Sequence, residues 1–138
     1  MTDPKDMSDK EFLAVFLDCS MPPAGFDHYG HVRIAWLLLR DHPLEEAIAL
    51  TCDGIARLAN HLGVPGKYHR TLTEALVRLM AHAGATRQDI SWGNFLLANC
   101  RLMEDAQGLL AQYFSVGLLA TDEARSRYVE PDLLPLPA

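Results

Sequence analysis

The sequence predicts an all-α protein: a single compact bundle of about five to six helices over residues 1–130, followed by an extended proline-rich arm, residues 131–138. Three observations lead there. Apolar residues recur at helical spacing in segment after segment, and no segment alternates with period two. Ser, Thr or Asp stands at cap position before several of these segments. Finally, 49% hydrophobic and 22% charged residues rule out a disordered chain, and a chain of this size hides about two-thirds of its extended surface on folding. A core therefore forms without disulfides.

Each element has its own justification. Ser8 with Glu11 makes a capping box, and Phe12, Leu13, Val15, Phe16 and Leu17 follow, so the first helix runs from about Ser8 to Asp18. Pro22, Pro23 and Gly25 break the chain. Asp27 caps a second helix that continues to about Arg40. Val32 and the run from Ile34 to Leu39 leave it little polar face, as expected in the middle of a bundle. The third, Leu44 to about Leu62, is amphipathic. Leu44, Ala47, Ile48, Thr51, Ile55, Leu58, Ala59 and Leu62 share one stripe, with Gly63 as its C′ residue. The fourth starts near Lys67 to Arg70 and reaches about Ala83, burying Leu72, Leu76, Leu79 and Met80. Glu74 and Arg78 form an i,i+4 pair on its wet side. Thr86 and Asp89 resemble a capping box for a fifth helix to about Asn99, which buries Ile90, Trp92, Phe95 and Leu96. A sixth spans about Arg101 to Phe114, and a short helical turn Thr121 to Ser126. Pro131, Pro135 and Pro137 exclude a helix at the end, leaving an arm that either lies on the bundle or frays.

Twelve Lys+Arg against eighteen Asp+Glu give a net charge of -6. An acidic chain without a basic tract argues against nucleic acid and against anionic membranes. The start is polar, with no apolar run behind it, and no window approaches a bilayer span. Cys19, Cys52 and Cys100 are odd in number and widely spaced, which argues against a disulfide framework or a zinc knuckle and for buried or half-buried thiols in a reducing cytoplasm. Gly-rich phosphate loops and G-x-S-x-G are missing from the sequence.

The histidines carry the one functional pattern. His28 and His31 are i,i+3 on the first turn of the second helix and share a face with Ala35 and Leu38, which points them inward. His69 heads the inward stripe of the fourth helix, with Leu72 and Leu76 after it. The third helix is about 27 Å long at 1.5 Å per residue. Two chain reversals thus return the start of the fourth helix to the end where the second began. Three imidazoles are expected to meet there. A divalent metal satisfies several inward rings at once: three nitrogens plus water suits zinc, and two His with a carboxylate suits iron(II). Asp27, Asp18 and Glu11 are the carboxylate candidates. Histidines on a first helical turn are also often solvent-exposed or hydrogen-bonded to a neighbouring carbonyl. His42, His61 and His82 are expected at the surface.

Other residues have two readings each. Arg33, two residues beyond His31, either anchors an anionic substrate or pairs with an acid of a neighbouring helix. Tyr68 and Tyr29 either donate a phenolic proton or roof the pocket. Thr71 and Thr73 either hold an imidazole tautomer or bond back within the helix. Cys52 could approach the cluster from the third helix.

The string Phe26-Asp27-His28-Tyr29-Gly30-His31-Val32-Arg33-Ile34-Ala35-Trp36, with Tyr68-His69-Arg70-Thr71-Leu72-Thr73 downstream, resembles a family of small uncharacterised bacterial proteins. Their pattern is F-x-H-x-x-H-hydrophobic-R-x-A-W followed by Y-H-x-T-x-T. Arg70 stands where the family has an acidic residue, and Asp27 where a His is common. The resemblance implies a functional histidine cluster and names no substrate.

The combined expectation is a small metal-dependent enzyme. His28, His31 and His69 would hold one divalent ion, Zn or Fe(II), with Arg33 and Tyr68 as catalytic groups acting on a small polar substrate. A homodimer is compatible with the apolar second helix. The alternatives are a helical adaptor that presents Leu133 to Leu136, and a metal carrier or sensor using the same histidines.

Overall fold

The computed structural model describes residues 3–137. Among these residues the fold is all-α, with nine α-helices and no strand. The scaffold is α1 (Asp9–Leu17), α2 (His28–Asp41), α3 (Leu44–His61) and α4 (Arg70–Met80). Two starts follow the expected chemistry: Ser8 accepts from the Glu11 N–H and Asp27 from the Gly30 N–H. α4 is capped by His69, which accepts from the Leu72 N–H. α2 packs against both α3 and α4. Every residue from Val32 to Leu39 is buried. Gly30 is required where it stands, because a Cβ there would lie 2.1 Å from the Gly25 carbonyl oxygen. That close approach seats the Pro23–Gly25 turn on the first turn of α2. Gly54 likewise admits the Phe16 ring, which anchors α1 on α3.

The second half departs from the sequence expectation in its division. α4 ends at Met80, and a π-type turn, Ala81–Ala85, follows, with Gly84 at φ 107. Thr86 and Asp89 cap nothing: Asp89 pairs with Arg87, and Ser91 caps α5 (Trp92–Ala98). The expected long sixth helix is two short ones, α6 (Cys100–Glu104) and α7 (Ala106–Leu110). Asp105 divides them because its backbone leaves the helical conformation (φ -149, ψ 52) and its carboxylate accepts from the Gly108 N–H, ending one helix and starting the next. α8 (Val116–Leu119) and α9 (Asp122–Ser126) complete the set, capped by Ser115 and Thr121.

The C-terminal arm, together with residues 127–130 that lead into it, lies on the bundle. Thr71 donates to the Arg127 carbonyl and accepts from the Val129 N–H. Asp132 accepts from both the backbone and the hydroxyl of Ser115, and the Leu133 N–H donates to the Tyr113 carbonyl. One expectation is overturned. Glu74 is not on a wet face; it is 4% exposed, held between Arg70 and Arg78, with Arg78 stacked over Tyr128. No helix of the described residues is long and apolar enough to cross a membrane. Of the cysteines, Cys52 is buried, Cys19 half-buried and Cys100 exposed, against the expectation that all three are at least partly covered.

Candidate functional site

The start of α2 and the start of α4 do lie at the same end of the bundle. His28, His31 and His69 all line one cavity of about 800 Å³. Its walls are apolar: Ala35 from α2, Ile55 from α3, Leu72, Leu76 and Val77 from α4, and Leu110, Phe114 and Leu119 from the segment 105–120 that roofs it. Thr51 lines it from the middle of α3, and the exposed Lys67 and Asp105 stand at its rim.

The three imidazoles differ in what they have left to offer. His69 is complete. Its Nδ1 accepts from the Leu72 N–H at 3.2 Å, which leaves the proton on Nε2, where it is donated to the Leu119 carbonyl at 2.9 Å. The ring therefore caps α4 and ties α8 to it. His28 donates its Nε2 proton to the Leu102 carbonyl of α6, which leaves Nδ1 as an acceptor. His31 is the exception: its Nε2 is buried and has no hydrogen-bond partner. The Phe26 ring packs edge-on against it, with centroids 4.8 Å apart. Burial, helped by neighbouring His28 and opposed by Asp27, pulls the His31 pKa down to about 4. The ring is neutral at pH 7. Thr51 carries the second orphan, a hydroxyl on a side chain only 1% exposed. Buried polar groups are nearly always bonded, so two on one cavity are a notable pair.

The remaining candidates lie elsewhere. Arg33 faces away, toward the N-terminal segment. It donates to the carbonyls of Pro4 and Met7, pairs with Asp9 at 3.0 Å and stacks on Phe12. Its charge is thus spent on docking that segment, and it does not line the cavity. Tyr68 is also outside the lining. Its hydroxyl lies against the Cys52 thiol and Arg70, and burial pushes the phenol up to about 12 and the thiol to about 11. Tyr29 packs on Trp92 under the Lys5 ammonium. Thr73 bonds back to the His69 carbonyl, and Thr71 holds the arm, so neither steadies an imidazole. Asp27 caps α2, Asp18 is bonded to Ser20, and Glu11 is exposed; none of the three lines the cavity. His61 and His82 are exposed, and His42 is half-buried beside Glu46.

As placed, the residues do not fit an ion held by three histidines. Both His69 nitrogens are engaged by backbone, and among the described residues no three His, Cys, Asp or Glu groups stand where they could hold one metal. The residue missed by sequence reasoning is Thr51. A hydroxyl in the middle of an otherwise apolar stripe was the available signal. Comparison with family models, with curated proteins and with solved structures finds no match.

Proposed function

We propose that this protein binds a small organic molecule, apolar over most of its surface, in the cavity at the histidine end of the bundle. The observation that carries this reading is the cavity itself, walled mostly by apolar side chains of α2, α3, α4 and the segment 105–120, with His28, His31 and Thr51 among the residues that line it. A space of about 800 Å³ falls within the usual range for small-molecule sites, and such sites combine apolar walls with a few polar groups that set orientation. The test is titration with the neutral fluorescent probe N-phenyl-1-naphthylamine. One equivalent binds the wild type, and Ala106→Trp, which fills the cavity from the first residue of α7, abolishes binding while its circular dichroism stays helical. No binding by the wild type, or equal binding by the variant, overturns the reading.

A second reading, a metal-dependent enzyme, is favoured by the convergence of three imidazoles on one cavity. It requires His69 to give up a backbone bond. Elemental analysis of protein purified without chelator or nickel decides it. Near-stoichiometric zinc or iron that disappears in His28→Ala and in His69→Ala establishes the metal site, and metal-free protein under zinc or iron(II) loading eliminates it.

A further inference from the structure

From the charges at the mouth of this cavity we infer the class of ligand: an acidic amphiphile, its apolar tail inside and its single carboxylate outside, paired with Lys67. This rests on the ligand-binding reading above and adds the chemistry of the head group. Lys67 ends the turn Pro65–Lys67 that leads into α4, and it is the one lysine or arginine among the residues that line the cavity. A second exposed cation stands beside it, since Arg125 of α9 donates to the carbonyl of Gly66. Neither Lys67 nor Arg125 pairs with a carboxylate among the described residues, whereas Arg33, Arg70, Arg78, Arg87, Arg101 and Arg127 all do. The chain as a whole carries a charge of -6, so two unmatched cations at one mouth are not the overflow of a basic surface. The acid on the same rim is already matched: Asp105 caps α7 through the Gly108 N–H and pairs with Arg101. Walls without a buried charge suit a tail and repel an ionised head, which therefore stays at the mouth and keeps most of its hydration. Of the other polar groups, His69 has both nitrogens on backbone and Thr73 donates to the His69 carbonyl. His28 keeps Nδ1 as an acceptor, which suits the proton of an alcohol or an ammonium. An ammonium, however, has to enter past Lys67 and Arg125. A hydrogen bond between ionised partners is also roughly twice as strong as one between neutral groups, which favours a carboxylate on Lys67 over an alcohol on His28.

The experiment compares decanoate, decan-1-ol and decylammonium by competition against N-phenyl-1-naphthylamine at pH 7.5 and low salt, below their micelle concentrations, with the Ala106→Trp variant as the background. Decanoate is expected to bind about 3- to 10-fold more tightly than decan-1-ol and at least about 10-fold more tightly than decylammonium. Lys67→Glu reverses the charge on an exposed side chain. It should lower decanoate affinity about 5- to 20-fold and leave decan-1-ol and the probe unchanged, the unchanged probe showing that the cavity is intact. Decan-1-ol or decylammonium binding as tightly as decanoate overturns the acidic head group, and is the result that anchoring on His28 Nδ1 gives. Unchanged decanoate affinity in Lys67→Glu overturns the seat. Both results are separate from failure of the underlying reading, in which the wild type does not bind the probe at all.

Discussion

Stability of the protein should depend on pH through His31 in a way that a single substitution removes. In the folded chain burial holds the ring at about 4, against an ordinary 6.5. Between those values the unfolded chain takes up a proton that the native chain refuses. Stability is therefore complete above pH 6.5 and falls as the pH is lowered toward 4. At roughly 1.4 kcal/mol per pH unit, the loss attributable to this ring is about 2 kcal/mol at pH 5 and about 3 kcal/mol at pH 4. Carboxylates also take up protons at the acid end, so the wild type alone does not isolate the effect. His31→Leu does, because it keeps an apolar side chain of comparable size against Phe26 and removes the titrating group. Urea unfolding at pH 7.5, 6 and 5 should show the variant gaining about 2 kcal/mol on the wild type across the series. Proton NMR of the imidazole ring gives the second readout: the His31 resonance should not move above pH 5. Parallel pH dependence in the two proteins, or a midpoint for His31 at 6 or higher, refutes the reasoning, since a ring that titrates normally is not desolvated.

Three more outcomes follow from named contacts. Arg33→Met removes the charge that holds Asp9 and the carbonyls of Pro4 and Met7; a loss of about 2–4 kcal/mol is expected in urea unfolding, with faster proteolysis before Ser8. His69→Ala deletes both the cap of α4 and the bond to Leu119. It should cost about 1–2 kcal/mol and speed amide hydrogen exchange in Val116–Leu119, and unchanged exchange there would refute the tie between the ring and the roof. Glu74→Gln leaves Arg70 and Arg78 facing each other across a neutral amide; unfolding at about 2–3 kcal/mol less than wild type is expected, with earlier release of the arm from Arg127 onward in limited proteolysis.

Local rules were enough to read the scaffold. Ser8 and Asp27 cap α1 and α2 because a side-chain oxygen at that position satisfies an otherwise unpaired helical N–H, and this depends on neighbours only. The same holds for the apolar run of α2, whose burial follows from having no polar face. The gathering of His28, His31 and His69 was also legible, since helix length and two short connections determine which ends meet. The region after Met80 was less so. A capping pattern at Thr86 competed with one at Ser91, and a single backbone turn at Asp105 divided a periodic segment, decisions that each involve only small energy differences.

What the chain dictates alone, then, is helices, caps and the end of the bundle at which three imidazoles lie, because these follow from short-range spacing. What each side chain has left to offer is decided only by packing between distant segments. Residues 102 and 119 reach back to occupy His28 and His69, the segment from residue 127 docks on Thr71, and the N-terminal segment claims Arg33. His31 Nε2 and Thr51 Oγ1 are left without hydrogen-bond partners for the same reason. A hydrogen bond is made or missed by atoms brought together from opposite ends of the chain, and periodicity holds no record of that.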